Sequence, residues 1–224
     1  LYGCFVGSTN SINLGFALLK HILPKIIVND YFLRESSSHY QLLFTSWLIE
    51  IFIIINLYKH TKYNFYLSNY LKNLINGCEF FFINKRIVLI GDISPDKTPK
   101  WLEDIVKFYN NIDNSDQNII YTGWAKIISK IKNYKKIKIS KLNNQKKINK
   151  KIQLFKESGY CKFTYGKWIL FMHIEEKSDK SIASHAHHDF LSFALYYNSM
   201  EFLLDVGRLN YSNSTEGIYG KKAK

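Results

Sequence analysis

Residues 159–176 read GYCKFTYGKWILFMHIEE, and apolar and polar side chains alternate along much of this stretch. Such alternation is typical of β-strands, in which successive side chains point to opposite faces of a sheet. Gly166 separates two strand-like runs, which indicates a hairpin. Residues 190–207, FLSFALYYNSMEFLLDVG, repeat the pattern with Asn198 and Ser199 at the turn. We therefore predict an antiparallel sheet in the C-terminal third of the chain.

The first half of the chain predicts helices instead, because its apolar residues recur at helical spacing. The helical stretches are residues 12–26, 36–58, 65–82 and 98–111. Serines open the second stretch as candidate N-caps, and Asn76 with Gly77 is a candidate stop or break in the third. Thr98 and Pro99 suit the cap and the first position of the fourth.

One apolar stretch, residues 42–58, approaches the length of a membrane span. It is at the short limit for a bilayer helix and carries Glu50 near its middle, where a charge is costly. We interpret it as a core helix and predict no membrane span.

Helices followed by strands favour an α+β protein with two regions over alternating βαβ units. We predict a helical region over residues 1–128, a linker over 129–152 and a sheet region over 153–224. The linker is rich in lysine and has no apolar stripe. A solvated linker is the favoured interpretation, and a polyanion-binding patch is the alternative.

The chain has 224 residues and a formal net charge of +13, which favours an anionic partner such as an acidic polysaccharide, nucleic acid or a membrane surface. Only three of its 31 basic residues are arginines, at positions 34, 86 and 208. Three scattered cysteines form neither a metal knuckle nor a disulfide framework, so the cellular compartment stays open.

The segment SHAHHD, residues 184–189, concentrates three of the seven histidines. If the backbone is extended, His185 and His187 project from one face and His188 from the other. Asp205 would be carried alongside them by the strand that folds back after Asn198. Two imidazoles and a carboxylate can begin a metal site, whereas the simpler alternative is an exposed polar loop.

Several motifs resemble the heparinase II/III family of polysaccharide lyases. Residues 157–172, ESGYCKFTYGKWILFM, and 184–211, SHAHHDFLSFALYYNSMEFLLDVGRLNY, are similar to the start of its β-sandwich. Residues 33–50, LRESSSHYQLLFTSWLIE, resemble its E-x-S-x-x-Y helix, and residues 90–102, IGDISPDKTPKWL, its GD loop. The resemblance implies an incomplete α/α toroid followed by an incomplete antiparallel β-sandwich.

The resemblance also implies a chemistry, β-elimination on a polysaccharide that contains uronic acid. A base removes the proton at C5, and an acid protonates the leaving oxygen at C4. A neutral or cationic donor must stabilise the charge that builds on the carboxylate. By resemblance, Tyr40 is the base and acid, His185 is catalytic, and Asn10 is a loose match to the residue that holds the carboxylate.

Further site residues are implied in the same way. Glu35, His39 and Arg208 are expected to bind substrate. His187 and Asp205 match ligands of a structural zinc site. The chain ends near the position at which a third ligand would follow, so we expect this site to be incomplete here.

The leading interpretation is a lyase, and the runner-up is a non-catalytic or degenerate protein that binds acidic glycans. A nucleic-acid module is a third alternative, but no recognised binding motif supports it, and we expect no nucleic-acid partner. Heparan-like, alginate-like and capsular substrates, endo or exo action and the oligomeric state all remain open. The resemblance implies a bacterial envelope, periplasmic or secreted protein. The chain starts at Leu1 without a signal segment, so we interpret it as a fragment.

Overall fold

The computed structural model describes residues 1–83, 86–91, 99–110, 121–130, 151–174 and 192–204. The helices are α1 (Tyr2–Val6), α2 (Thr9–Ile26), α3 (Ser38–Leu57), α4 (Asn64–Phe80), α5 (Pro99–Asn110) and α6 (Gly123–Ser129), with a 3₁₀ turn at Thr61–Tyr63. The strands are β1 (Phe82–Ile83), β2 (Arg86–Ile87), β3 (Ile152–Phe155), β4 (Tyr160–Tyr165), β5 (Trp168–His173), β6 (Phe193–Tyr197) and β7 (Met200–Leu203). The predicted order, helices and then antiparallel strands, is confirmed.

Helix α3 is the centre of the helical core. Its N-cap is Ser37, whose side chain accepts a hydrogen bond from the backbone N–H of Tyr40, so the predicted serine cap is confirmed. In the described part of the chain, α3 is the one helix whose length and composition would suit a membrane span. However, 56% of its apolar window is buried inside the protein, where it packs against α4 and α5.

Helix α4 does not stop at Gly77, contrary to one of the two predicted outcomes there. The helix continues to Phe80, and the glycine lies where neighbouring elements approach α4 closely. A Cβ at Gly77 would lie 3.0 Å from the side-chain nitrogen of Gln41 and 3.0 Å from the carbonyl oxygen of Tyr31. The missing side chain therefore allows α3 and the loop at Tyr31 to pack against α4.

The C-terminal strands form one antiparallel sheet in the order β3-β4-β5-β6-β7. Gly166 has a positive φ of 56° between β4 and β5, and Asn198 and Ser199 have positive φ values of 49° and 65° between β6 and β7. Positive φ at both central residues suits the tight turns of hairpins. Both hairpins predicted from the sequence are therefore confirmed.

The two faces of this sheet have different surroundings. One face packs against the helical region through a cluster of buried aromatic residues that includes Phe32, Phe80, Phe81, Tyr160 and Phe171. The opposite face exposes large apolar side chains, among them Ile152, Leu154, Phe163, Tyr165, Trp168, Phe193 and Tyr197. A sheet that is apolar on both faces is typical of a layer in a sandwich.

The ESGY segment, residues 157–160, joins the sheet to the helical region. Glu157 accepts two hydrogen bonds from Asn29, through its backbone N–H and its side-chain amide, both at 3.1 Å. Asp30 accepts from the backbone N–H groups of Glu157 and Ser158 at 2.9 and 3.0 Å, and from the Ser158 hydroxyl at 3.2 Å. Tyr160 then enters the aromatic cluster with 1% of its surface exposed.

A lysine is buried at the same junction. The Lys162 ammonium donates a hydrogen bond to the carbonyl oxygen of Phe80 at 3.1 Å, and it lies 4.7 Å from the centre of the Phe171 ring. Burial lowers the pKa of Lys162 from its usual 10.5 to about 8. The cation is thus held by a carbonyl dipole and aromatic faces, and no ion pair with it is formed by the described residues.

The predicted lysine-rich linker, residues 129–152, falls mostly outside the described residues. Ile152, its last residue, already belongs to β3. The division into regions 1–128 and 153–224 stays a prediction. The contacts of Asn29 and Asp30 with the ESGY segment show that residues from both predicted regions pack directly against each other.

Candidate functional site at the start of helix α3

The serines before Tyr40 form a buried and strained entry to α3. Ser36, Ser37 and Ser38 each expose 4% of their surface or less. Ser36 has a positive φ of 53°, which is uncommon for a residue with a side chain. Backbone strain of this kind persists only where the surroundings enforce it, and it is often found at functional sites.

The segment that resembles the GD loop enforces this conformation. The backbone N–H of Ser38 donates to the carbonyl of Ile90 at 3.0 Å, and the N–H of Ile90 donates back to the Ser38 hydroxyl at 2.9 Å. Gly91 follows with a φ of +78°, and a Cβ there would lie 2.6 Å from the carbonyl oxygen of Ser36. Two segments that are far apart in sequence and resemble one family therefore meet beside Tyr40.

A cavity of about 260 Å³ opens next to this entry. Its lining consists of Ile26, Leu33, Arg34, Glu35, Tyr40, Leu43, Phe44 and Trp47. Tyr40, Leu43, Phe44 and Trp47 are spaced so that they share one face of α3. The cavity therefore combines an apolar floor with a phenol, a carboxylate, a guanidinium and an indole.

Only some of the site residues predicted in the helical region line the cavity. Tyr40 is half-buried and lines the cavity together with Glu35, and the roles predicted for the two residues stay predictions. His39 has 0% of its surface exposed, and its ring lies 6.0 Å from that of Tyr40. His39 is not among the residues that line the cavity, and its predicted role in substrate binding stays a prediction.

Asn10 is not brought to the cavity. It is an exposed residue in the first turn of α2, whereas Ile26, which lines the cavity, is the last residue of the same helix. At 1.5 Å per residue the two positions lie about 24 Å apart along the helix. Asn10 is therefore not among the residues that line the cavity, and its predicted role at the sugar carboxylate stays a prediction.

Arg34 is a charged cavity residue that sequence reasoning missed. Its Nε donates to the carbonyl oxygen of Lys25 at 2.8 Å, and its backbone N–H donates to the carbonyl of Ile26 at 3.0 Å. These two bonds tie it to the C-terminal turn of α2. The available signal was its position directly before Glu35 in the LRESSSHY segment, in a chain that has only three arginines.

The remaining predicted site residues lie outside the described residues. These are His185, His187, Asp205 and Arg208. Within the described ranges, no group of three or more His, Cys, Asp or Glu side chains could hold a metal ion. The expected zinc site at His187 and Asp205, and the catalytic role of His185, therefore stay predictions.

Comparison with known proteins gives a family for the C-terminal part and a fold for the whole. Residues 147–222 match the model of the heparinase II/III-like C-terminal family. No curated protein sequence matches the chain.

Solved structures resemble nearly the whole chain. Heparan sulfate lyase HepC from Pedobacter heparinus is similar over 96% of this chain, with a TM-score of 0.63 and 16% identity. Heparinase III is similar over 92%, with a TM-score of 0.58 and 14% identity. The chain spans 31% and 32% of the lengths of these two proteins. At this identity the likeness shows the fold.

The resemblance inferred from the sequence is thus confirmed: residues 147–222 match the model of the heparinase II/III-like C-terminal family, and the fold of the chain resembles part of the solved heparan sulfate lyase and heparinase structures.

Proposed function

We propose that this chain carries part of the active site of a lyase that cleaves an acidic, uronic-acid-containing polysaccharide by β-elimination. The observation that supports this most is the cavity at Tyr40, where two family-like segments meet in a fold shared with heparan sulfate lyase HepC and heparinase III. Among the described residues, this tyrosine is the one phenol that lines the cavity.

The mechanism assigns Tyr40 to proton transfer at the sugar. Its phenolate would take the C5 proton, and the resulting phenol would then protonate the leaving oxygen at C4, so that one group serves both steps. The apolar walls at Leu33, Leu43 and Phe44 would limit the access of water to the reacting ring. His185, by resemblance, would take part from the other side of the substrate.

Heparan sulfate is the first substrate class to test, because two of the proteins with this fold carry it or heparin in their names. The net charge of +13 suits a polyanion of this kind. We also propose a bacterial envelope, periplasmic or secreted location, as the resemblance of the sequence implies. A structural zinc ion at His187 and Asp205 is part of the proposal but takes no part in the proton transfers.

The test is a lyase assay on the full polypeptide that carries these residues. Each elimination creates a C4–C5 double bond in the product, so an active enzyme raises the ultraviolet absorbance of heparan sulfate, whereas a hydrolase leaves it unchanged. Retention on heparin without any rise in absorbance would contradict the lyase and favour a non-catalytic protein that binds acidic glycans.

A further inference from the structure

The cavity at Tyr40 contains a cation that the elimination chemistry above does not use. Arg34 is anchored through Nε to the carbonyl of Lys25, at the end of α2, where the last carbonyl groups of a helix lack partners within the helix. This bond fixes the plane of the guanidinium at the cavity wall. The side chain is therefore ordered in advance for a ligand.

The terminal nitrogens of Arg34 are available to such a ligand. Among the described residues, no carboxylate lies within ion-pair distance of the guanidinium, although Glu35 is its neighbour in the chain. The fork of two NH₂ groups matches the oxygens of a carboxylate or a sulfate, which it binds through paired, charge-assisted hydrogen bonds. An exposed arginine at an apolar cavity is thus complementary to an anionic group.

Trp47 extends the same surface along α3. It follows Tyr40 by seven residues, so the two side chains share one helix face and lie about 10 Å apart along the axis. This distance exceeds the size of one sugar ring. With 46% of its surface exposed, the indole offers a flat apolar area to the unit next to the one at Tyr40.

We propose that Arg34 and Trp47 form an anionic-sugar subsite beside Tyr40, in which the guanidinium pairs with a carboxylate or sulfate and the indole packs against a sugar ring. The inference rests on the proposed function for the identity of its ligand as a glycan. It assigns the recognition of negative charge to the turn between α2 and α3, and it needs no contribution from Asn10.

Calorimetric binding of a heparan sulfate hexasaccharide tests the subsite without requiring turnover. Arg34→Gln should weaken the affinity by about tenfold or more, since a charge-assisted hydrogen-bond pair is lost. Arg86→Gln removes the same charge from an exposed position on β2 and is the matched control, expected to change the affinity less than about threefold. Trp47→Ala should weaken binding, and Trp47→Phe should retain most of it.

Chemically modified hexasaccharides identify the anion. If Arg34 binds a sulfate, the unaltered protein and Arg34→Gln should bind the desulfated hexasaccharide with the same affinity. If it binds a carboxylate, the two proteins should instead bind the carboxyl-reduced hexasaccharide with the same affinity.

Equal affinities of Arg34→Gln and Arg86→Gln for all three ligands would overturn the subsite, and so would the absence of binding by the unaltered protein. Failure of the proposed function looks different. The hexasaccharide would then bind and respond to Arg34→Gln, but no absorbance would develop with any variant.

Discussion

At the scale of single residues, the ESGY segment shows what a family-like motif does physically. Its glutamate and serine hold the loop at Asn29 and Asp30, and its tyrosine fills the aromatic core. Asp30 contributes most to this contact between the loop and the ESGY segment (the joint), because one of its carboxylate oxygens accepts three hydrogen bonds.

We expect Asp30→Ala to lower the free energy of unfolding by about 2–3 kcal/mol, because it leaves two backbone N–H groups of the joint without their charged acceptor. Ser158→Ala removes only the hydroxyl bond and should cost about 1 kcal/mol. Urea unfolding followed by circular dichroism measures both. Equal losses for the two variants would show that the carboxylate is not the centre of the joint.

Lys162 predicts a pH dependence of stability. Burial lowers its pKa to about 8 in the folded state, against 10.5 when exposed. Between these two values the unfolded chain binds more protons than the folded one, so this group makes stability rise with pH from about 8 to 10.5. The contribution is lost as the pH falls through the folded-state pKa.

Other groups also titrate in this range, so the test is a comparison with Lys162→Met. The unaltered protein should gain stability relative to this variant as the pH rises from 8 to 10.5, as measured by urea midpoints. If the difference in urea midpoint between the unaltered protein and Lys162→Met stays constant from pH 8 to 10.5, the Lys162 ammonium at Phe80 and Phe171 is not desolvated.

At the scale of elements, local chemistry made some boundaries predictable. The serine cap of α3, the start of α5 at Pro99 and the turns at Gly166 and Asn198 depend on residues that are adjacent in sequence. Gly77 depends on a distant neighbour: it is glycine because the Tyr31 carbonyl and Gln41 approach it, which no local pattern reveals. Its interpretation as a stop failed for this reason.

Gly91 allows a matched test of the contact that shapes the entry to α3. Gly91→Ala adds a Cβ at 2.6 Å from the Ser36 carbonyl, whereas Gly7→Ala adds one at a similar positive φ of 71° with nothing within 4 Å. Both substitutions should lower the free energy of unfolding by about 1 kcal/mol, because alanine disfavours a positive φ.

Gly91→Ala should cost about 1–3 kcal/mol more in the free energy of unfolding, because the overlap displaces Ser36. It should also reduce turnover, since Ser36 and Ser37 set the position of Tyr40. Thermal melts and the absorbance assay measure the two effects. Indistinguishable stabilities of the two alanine variants would indicate that the GD-like loop does not brace the site.

At the scale of the whole molecule, periodicity and order of elements were enough to predict an α+β chain with a C-terminal antiparallel sheet. The second, exposed apolar face of that sheet agrees with the predicted sandwich. The site was only partly predictable. Tyr40 and Glu35 were identified through a motif. Arg34, and not Asn10, lines the cavity beside them, because the C-terminal end of α2 lies next to the start of α3. This packing of two helices cannot be predicted from local sequence.

The central claim is that Tyr40 transfers protons, and turnover of Tyr40→Phe tests it most directly. The phenylalanine keeps the ring that lines the cavity and removes only the hydroxyl, so the melting temperature should hardly change. Tyr58→Phe is the matched control, an exposed tyrosine at the other end of α3, about 27 Å along the axis.

The measurement is kcat on saturating heparan sulfate, followed by the absorbance of the unsaturated product in the full polypeptide. The account predicts a fall of about 10²-fold or more for Tyr40→Phe, the usual contribution of a general acid or base, and no fall for Tyr58→Phe. A Tyr40→Phe protein that turns over as fast as the unaltered one would contradict the account.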